Sequence, residues 1–453
     1  LNLKSTIFRE YDIRGIADEE LLDPGIYQLG QALGTFIQRT SGAKNINLAR
    51  DCRLSSTRLR NALIGGLKAS GCDVTDIGVV PTPLLYYSVY HLKAVGGVMI
   101  TGSHNPAEYN GFKVMCGQST IHGEDIQTVK ELIEKQDFLT GEGTETTFDI
   151  VTPYVDEITS HFHFQRKLKV VVDAGNGVGG PVFHRMLEKL NVEAEELFMD
   201  MDGSFPNHHP DPTQPENLRH LIAAVQKQPV DLGLAFDGDA DRVGAVDEAG
   251  NMVYGDMLLF IYGRDILTRK PGATIIGEVK CSQFMYDELR HLGGNAIMWK
   301  TGHSLIKAKM KETHAELAGE MSGHMFFADG YYGFDDALYA ACRLMEIVAT
   351  SGQPLSAQLS TVPKTVSTPE LRNDCPDETK FAVVQKVLAH FRDKYEVLDV
   401  DGARINFANG WGLVRASNTQ PVLVMRFEAT TPELLAQYRS EVEAAAEAAK
   451  TAG

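Results

Sequence analysis

A recurring plan constrains this chain more than any single motif: an apolar run, a helix-like segment, a second apolar run, then a strand that stops at a polar loop. In the first copy "NINLARD" reads as a buried strand, "SSTRLRNALIGGLKASG" as a helix closed by glycine, and "CDVTDIGV" as a strand. "VGGVMIT" is then a further strand that empties into Ser103. The second copy runs from "LKVVVDAGNG" through "GPVFHRMLEKLN" to "VDLGLAFDGDADR". The third runs from "ATIIGEVKCS" through "QFMYDELRHLG" and "NAIMWKTG" to "HAELAGEMSGH". Such alternation predicts mostly parallel sheets with crossover helices, and ligands gather beyond the carboxyl ends of strands in sheets of this kind. From about Lys364 the pattern changes to a helix "ETKFAVVQKVLAHFRDKY", the strands "EVLDVDGARINFA", "WGLVRA" and "VLVMRFEA", and an alanine-rich final helix, which reads as a smaller α+β domain. Between the two regimes, the prolines of "STVPKTVSTPEL" interrupt any helix or central strand.

At 453 residues the chain exceeds one ordinary core, so several domains are expected. A hydrophobic fraction of 43% and a charged fraction of 23% are those of a globular protein. No apolar stretch is long enough to span a bilayer, and "LNLKSTIFREYDIRG" has no signal-peptide core. The six cysteines are scattered without a CxxC pair, which argues against a zinc ribbon or a disulfide framework and for a reducing cytoplasm. A formal charge of -17 argues against nucleic acid or an anionic membrane as partner, since both want a basic face. A small anionic substrate remains compatible, because local lysines and arginines can outweigh the global sign.

The loop "DGDADR" places Asp237, Asp239 and Asp241 at alternate positions directly after the apolar "LGLAF". Three carboxylates so close repel one another unless a cation sits among them, and hard oxygen ligands select Mg²⁺ or Ca²⁺. The plainer reading is an acidic surface turn. An EF-hand is a sharper rival, with Glu248 at the twelfth position, but Arg242 stands where the turn wants glycine and the flanks read as strands. Three protein oxygens would leave an octahedral Mg²⁺ with places for other ligands, phosphate above all.

"DAGNGVGG" presents Gly175, Gly177 and Gly180 as G-x-G-x-x-G between a strand and a helix. This supports an NAD-dependent dehydrogenase as the alternative, with Glu196 or Asp200 on a ribose. That reading leaves the serine loop, the aspartates and "GEMSGH" without work, so the glycines are read here as a tight strand-to-helix turn. Ser103, in "VMITGSHNPAEYNGFKV", has the ordinary alternatives of a turn or an N-cap, and "TGSHNP" is not the G-x-S-x-G of a hydrolase. A serine held rigidly can instead carry phosphate, whose negative charge and acceptor oxygens are what an aspartate-bound metal lacks.

Together "TGSHNP", "DGDADR", "GEMSGH" and "RASNTQP", with "EYDIRG" near the start, stand in the order and spacing of the α-D-phosphohexomutase superfamily. The chain is most similar to its bacterial phosphomannomutase/phosphoglucomutase branch, over essentially its whole length. The resemblance implies an α/β fold of three related mixed-sheet domains and a C-terminal α+β domain around a central cleft. The segments would be 1–150 (phosphoserine), 151–250 (metal), 251–363 (sugar) and 364–453 (phosphate). The activity it implies is reversible phosphoryl transfer between O1 and O6 of mannose and glucose phosphates through a 1,6-bisphosphate. Phosphoglucosamine mutase is the alternative within the family.

On this resemblance Ser103 is the phosphoserine, and Asp237, Asp239 and Asp241 hold Mg²⁺ with an oxygen of the Ser103 phosphate. Glucose or mannose 1,6-bisphosphate would be the activator. Arg242 would neutralise the transferring group. Lys113 and His303 are candidates for acid/base work and substrate contact. A histidine has the better intrinsic pKa, whereas Lys113 would need its pKa lowered; the plainer reading of His303 is a structural loop residue. Glu320 and Ser322 would take the sugar's O3 and O4, which stay nearly equivalent when the intermediate turns over. Arg415, Ser417, Asn418 and Thr419 would clamp the phosphate that is not reacting. Tyr11, Arg14, Arg53 and Lys280 would line the cleft. Reaching both ends of one sugar from separate domains implies a hinge between about residues 360 and 370.

Overall fold

The computed structural model describes residues 3–418 and 420–451. In the first repeat the strand Asn45–Arg50 lies parallel between Asp73–Val79 and Gly96–Ile100. The chain then returns antiparallel along Tyr109–Cys116, which makes the sheet mixed. The second repeat copies this topology: Lys169–Asp173 lies parallel to Glu193–Leu197 and Leu232–Phe236, and Val243–Val246 returns antiparallel. In the third, Thr274–Glu278 lies parallel to Asn295–Trp299 and Leu317–Gly319, and the chain goes on to the short strand Met325–Phe327.

The serine loop, the aspartate loop and the Glu320–His324 stretch therefore hold one topological position in three repeats. Each follows the carboxyl end of a parallel strand, where ligand sites of such sheets form. Each also turns through the left-handed region, at Ser103 (φ 48°), Ala240 (φ 56°) and Gly323 (φ 91°). The aspartate loop closes a β-hairpin between Leu232–Phe236 and Val243–Val246, which rules out an EF-hand. Glu248 is occupied elsewhere, accepting hydrogen bonds from the backbone N–H and hydroxyl of Ser356.

The chain forms two compact units. One runs to Leu258 and takes in Ser322–Gln358; the other comprises Leu259–Met321 and the chain from Leu359 onward. The expected segment 251–363 thus contributes to both. In the second unit Val422–Ala429 pairs antiparallel with Gly410–Ala416, which continues through Ala403–Phe407 to Glu396–Leu398. The helices Lys380–Arg392 and Pro432–Thr451 bury Val387, Phe391, Val442 and Ala446 in a core with Ile405, Leu423 and Phe427. Pro363 and Pro369 flank a two-residue edge strand, Val366–Ser367, where a missing ladder donor is tolerated. Among the described residues no helix is long and apolar enough to cross a membrane, and all six cysteines are free.

Candidate active site

Ser103 is buried, and its left-handed backbone is imposed by its neighbours. Its N–H donates to Thr101 Oγ1 at 2.9 Å, and its carbonyl accepts from Arg53 Nη2 at 2.8 Å. The same guanidinium donates to the carbonyls of Asn105 (2.6 Å), Pro106 (2.5 Å) and Tyr109 (3.0 Å), with Asp51 at 3.2 Å from its Nε. Arg53 is therefore no open cleft cation: its side chain is 0% exposed and grips the serine loop from within. Arg14 braces the loop from the strand Ile13–Ile16, donating to Asn105 Oδ1 at 2.7 Å, and Tyr11 is half-buried just before that strand. A left-handed non-glycine residue costs roughly 1–2 kcal/mol, a strain that persists only where surroundings over-determine it.

Ser103 Oγ donates to Asp237 Oδ2 at 2.7 Å. Asp237, Asp239 and Asp241 are all 0% exposed, and their oxygens lie within 4.8 Å of one another. The two loops can approach because a Cβ on Gly238 would stand 2.5 Å from the Ser103 carbonyl. Asp239 Oδ2 is saturated by Thr82 Oγ1 (2.5 Å), Lys113 Nζ (2.8 Å) and Thr101 Oγ1 (3.1 Å). Its Oδ1 is buried and accepts no hydrogen bond among the described residues. Burial, Asp239 and Asp241 push the Asp237 carboxyl upward, while at Asp241 burial is outweighed by Lys113 and its carboxyl is held low. Repulsion of this kind is relieved by a hard divalent cation, and a buried all-oxygen set with one orphaned carboxylate oxygen fits Mg²⁺. His324 and Asp335 come as close to Asp241, but that set includes a nitrogen.

Lys113 lies buried with its ammonium on Asp239 and Asp241. Burial works against its charge, yet Asp239 and Asp241 prevail and hold the ammonium above the usual lysine range. Arg242 forms an isolated bridge with His324, and Val243 N–H donates to the Gly323 carbonyl at 3.0 Å, so the aspartate loop and the "SGH" stretch are laced together. His324 Nε2 lies 3.2 Å from Asp241 Oδ1 and 3.3 Å from Arg242 Nε, and its Nδ1 is 3.1 Å from Ser322 Oγ. Sequence reasoning singled out Ser322 in this motif and passed over its final histidine. The glycine-rich turn is filled by protein: a Cβ on Gly177 would stand 2.7 Å from the Gly238 carbonyl, and one on Gly180 2.1 Å from that of Met199. These glycines serve loop packing, which disfavours the dinucleotide reading.

The second unit gathers a separate set. Glu278, at the carboxyl end of its strand, accepts from Lys280 N (2.8 Å), Thr301 Oγ1 (2.9 Å) and Met321 N (3.2 Å). Glu320 Oε1 accepts from Gly302 N at 2.8 Å, just before His303, the buried first residue of the helix His303–Thr313. Asp401 accepts from Thr301 N (3.1 Å) and Arg415 Nε (3.0 Å), tying the His303 loop to the hairpin that bears "SNTQP". Lys280 Nζ pairs with Glu370 at 3.0 Å; burial opposes its charge, but Glu370 and Glu278 keep it above the lysine range. Ser417 is buried and its N–H donates to the Val422 carbonyl at 3.0 Å, Asn418 is half-buried in the same turn, and Thr419 lies outside the described residues. Glu278 and Asp401 went unread in the sequence, where each is a lone acid with no pattern around it; only Glu278's place at a strand end could have flagged it.

The chain matches four sequence profiles in order: "Phosphoglucomutase/phosphomannomutase, alpha/beta/alpha domain I" over 5–140, domain II over 152–250, domain III over 254–366, and the C-terminal domain over 370–445. It is 45% identical over 439 residues to a phosphomannomutase/phosphoglucomutase of Pseudomonas aeruginosa, covering 97% of this chain and 95% of that one. It is 44% identical over 446 residues to a phosphoglucomutase of Neisseria gonorrhoeae, covering 97% and 96%. The crystal structure of a phosphoglucomutase/phosphomannomutase family protein from Burkholderia thailandensis matches with a TM-score of 0.93 at 43% identity, covering 99% and 98%.

Proposed function

The chain belongs to the phosphoglucomutase/phosphomannomutase family and is a hexose phosphate mutase, and from that premise we propose that Ser103 carries the phosphoryl group it moves between O1 and O6 of mannose and glucose phosphates. The observation that carries this reading is Ser103 Oγ, 2.7 Å from one of three buried carboxylates on a left-handed backbone held by Thr101 and Arg53.

Phosphorylated Ser103 donates to the free hydroxyl of a hexose monophosphate: the serine P–O bond breaks, a sugar P–O bond forms, and the hydroxyl proton passes to a base. The resulting 1,6-bisphosphate turns over and returns its other phosphate to Ser103. Mg²⁺, held by Asp237, Asp239, Asp241 and an oxygen of the phosphoserine, would neutralise charge on the transferring group. Arg242 and the cationic Lys113 add fixed positive charge at the same place. The hydroxyl proton passes to Lys113, to His303 or to His324, which stands beside Asp241.

Glu320 and Ser322 read the sugar hydroxyls. Arg415, Ser417 and Asn418, with Thr419, hold the idle phosphate, and Tyr11, Arg14 and Lys280 complete the substrate contacts. A glucose or mannose 1,6-bisphosphate starts an enzyme whose serine is bare.

The test is ³¹P NMR of the protein with Mg²⁺ and a trace of glucose 1,6-bisphosphate, offered mannose 1-phosphate, glucose 1-phosphate or glucosamine 1-phosphate, with Ser103→Ala alongside. The first two are expected to become 6-phosphates, and Ser103→Ala to abolish it. Conversion of glucosamine 1-phosphate alone would overturn the substrate assignment, and undiminished turnover by Ser103→Ala would overturn the serine.

A further inference from the structure

The segment "VPTPLLYYSVY" found no use in the reading of the sequence, yet its helix, Thr82–His91, starts directly on the aspartate loop. Thr82 grips residue 239 twice. Its N–H donates to the Asp239 carbonyl at 2.9 Å and its Oγ1 to Asp239 Oδ2 at 2.5 Å, both within a 0% exposed environment.

Local chemistry explains why this residue can do so. Pro81 enters extended (φ -55°, ψ 149°) and Pro83, one residue inside the helix, has no N–H. The first-turn donors of a helix lack partners within it, and with proline on either side the N–H and hydroxyl of Thr82 are the donors delivered to Asp239. The positive end of the helix also favours a carboxylate at this position. Further along, the helix is clamped by aromatic contacts. Tyr86 meets Phe334 at 5.5 Å and Tyr90 meets Tyr332 at 4.7 Å between centroids, while the hydroxyls of Tyr87 and Tyr332 share Glu157 at 2.7 Å each. The donor is thus presented from a helix held along its length by these contacts.

We propose that Thr82 is a positioning residue for the cation site: by holding Oδ2 it fixes the Asp239 carboxylate and leaves Oδ1, the buried oxygen without a hydrogen bond among the described residues, to a cation shared with Asp237 and Asp241. The proposal rests on the assignment of the aspartate triplet as the metal site. Without the Thr82 hydroxyl, Oδ2 keeps Lys113 and the longer contact from Thr101 and the carboxylate gains a rotation, so cation binding pays for ordering it. Outer-shell partners of this kind are typically worth about 10–100-fold in metal affinity. Thr101 is a less clean probe, because it also holds the Ser103 N–H.

The experiment is Mn²⁺ binding to the unphosphorylated full chain, read as free Mn²⁺ by electron paramagnetic resonance with Mg²⁺ in competition, for wild type, Thr82→Val, Thr82→Ser and Asp239→Asn. Thr82→Val is expected to weaken binding about tenfold or more, and Thr82→Ser to stay within about threefold of wild type. Asp239→Asn is expected to lose most of the binding. Loss in Asp239→Asn with wild-type affinity in Thr82→Val overturns the role of Thr82 alone. Unchanged binding in Asp239→Asn overturns the metal site itself. Thermal unfolding of each metal-free variant separates a folding defect from a binding one; should Thr82→Val fail to fold, Thr82→Ala removes the same donor without added bulk and is read the same way.

Discussion

At the scale of single residues, the site works by over-determination. Arg53 spends its guanidinium on the carbonyls of residues 103, 105, 106 and 109, a task that needs a planar fork. Arg53→Lys should therefore lower kcat/KM by on the order of 100-fold, since a small misplacement of a reacting group costs that much, with turnover by ³¹P NMR as the check. An undiminished rate would show that the loop holds Ser103 unaided. Lys113 supplies the second residue-scale prediction. Removing a cation from buried carboxylates costs about 3–5 kcal/mol, so Lys113→Met should unfold at markedly lower temperature without metal and should gain more from added Mg²⁺ than wild type does. Equal metal-induced shifts in the two proteins would contradict this. Ser103 and the aspartates were legible because their chemistry lies in residue type and spacing. The work of Arg53 was not, since a side chain bonded to backbone carbonyls leaves no mark on the residues it holds.

At the scale of elements, the three repeats were readable because short apolar runs, which become buried strands, alternate with helices that keep a polar face, and each series ends in a polar loop. The helix Thr82–His91 was missed for a definite reason: Thr82 through Val89 are all buried, so no polar face remains to reveal a helical period. The return strand Tyr109–Cys116 was silent because the buried Asn110 and Lys113 break its apolar run without making an alternation. An element-scale prediction concerns the loop below the glycine-rich turn. His208 Nε2 lies 3.0 Å from the buried Asp173, at the end of the strand Lys169–Asp173. Burial opposes its charge, but the hydrogen bond and charge of Asp173 prevail and raise His208 above the ordinary histidine value. A group whose pKa is higher folded than unfolded contributes stability fully at pH below about 6.5, and that contribution is lost as pH rises through the folded value. Thermal unfolding should therefore show a decline as pH rises above about 6.5 that His208→Gln flattens; an identical slope in the variant would remove His208 as its source.

At the scale of the whole molecule, the sequence reads as consecutive segments, whereas compactness joins Leu259–Met321 to the chain beyond Leu359. The bonds responsible link residues far apart in sequence. Arg404, fully buried against Trp411, donates to the carbonyls of Val279 and Cys281, and Ser282 donates to Glu428. No local pattern announces such partners. The chain passes between the units at Gln358–Leu359, beside the proline-bearing stretch where the sequence suggests a hinge. That suggested hinge predicts a smaller radius of gyration by X-ray scattering when a hexose phosphate binds, and an unchanged radius would remove it. Ser103 as phosphoryl carrier is tested by mass spectrometry of unphosphorylated protein after incubation with Mg²⁺ and glucose 1,6-bisphosphate, before and after adding excess glucose 1-phosphate. One phosphate per chain is expected, mapped to Ser103 and exchanged with the added sugar. Turnover with Ser103 bare throughout, or phosphate on another residue, would contradict it.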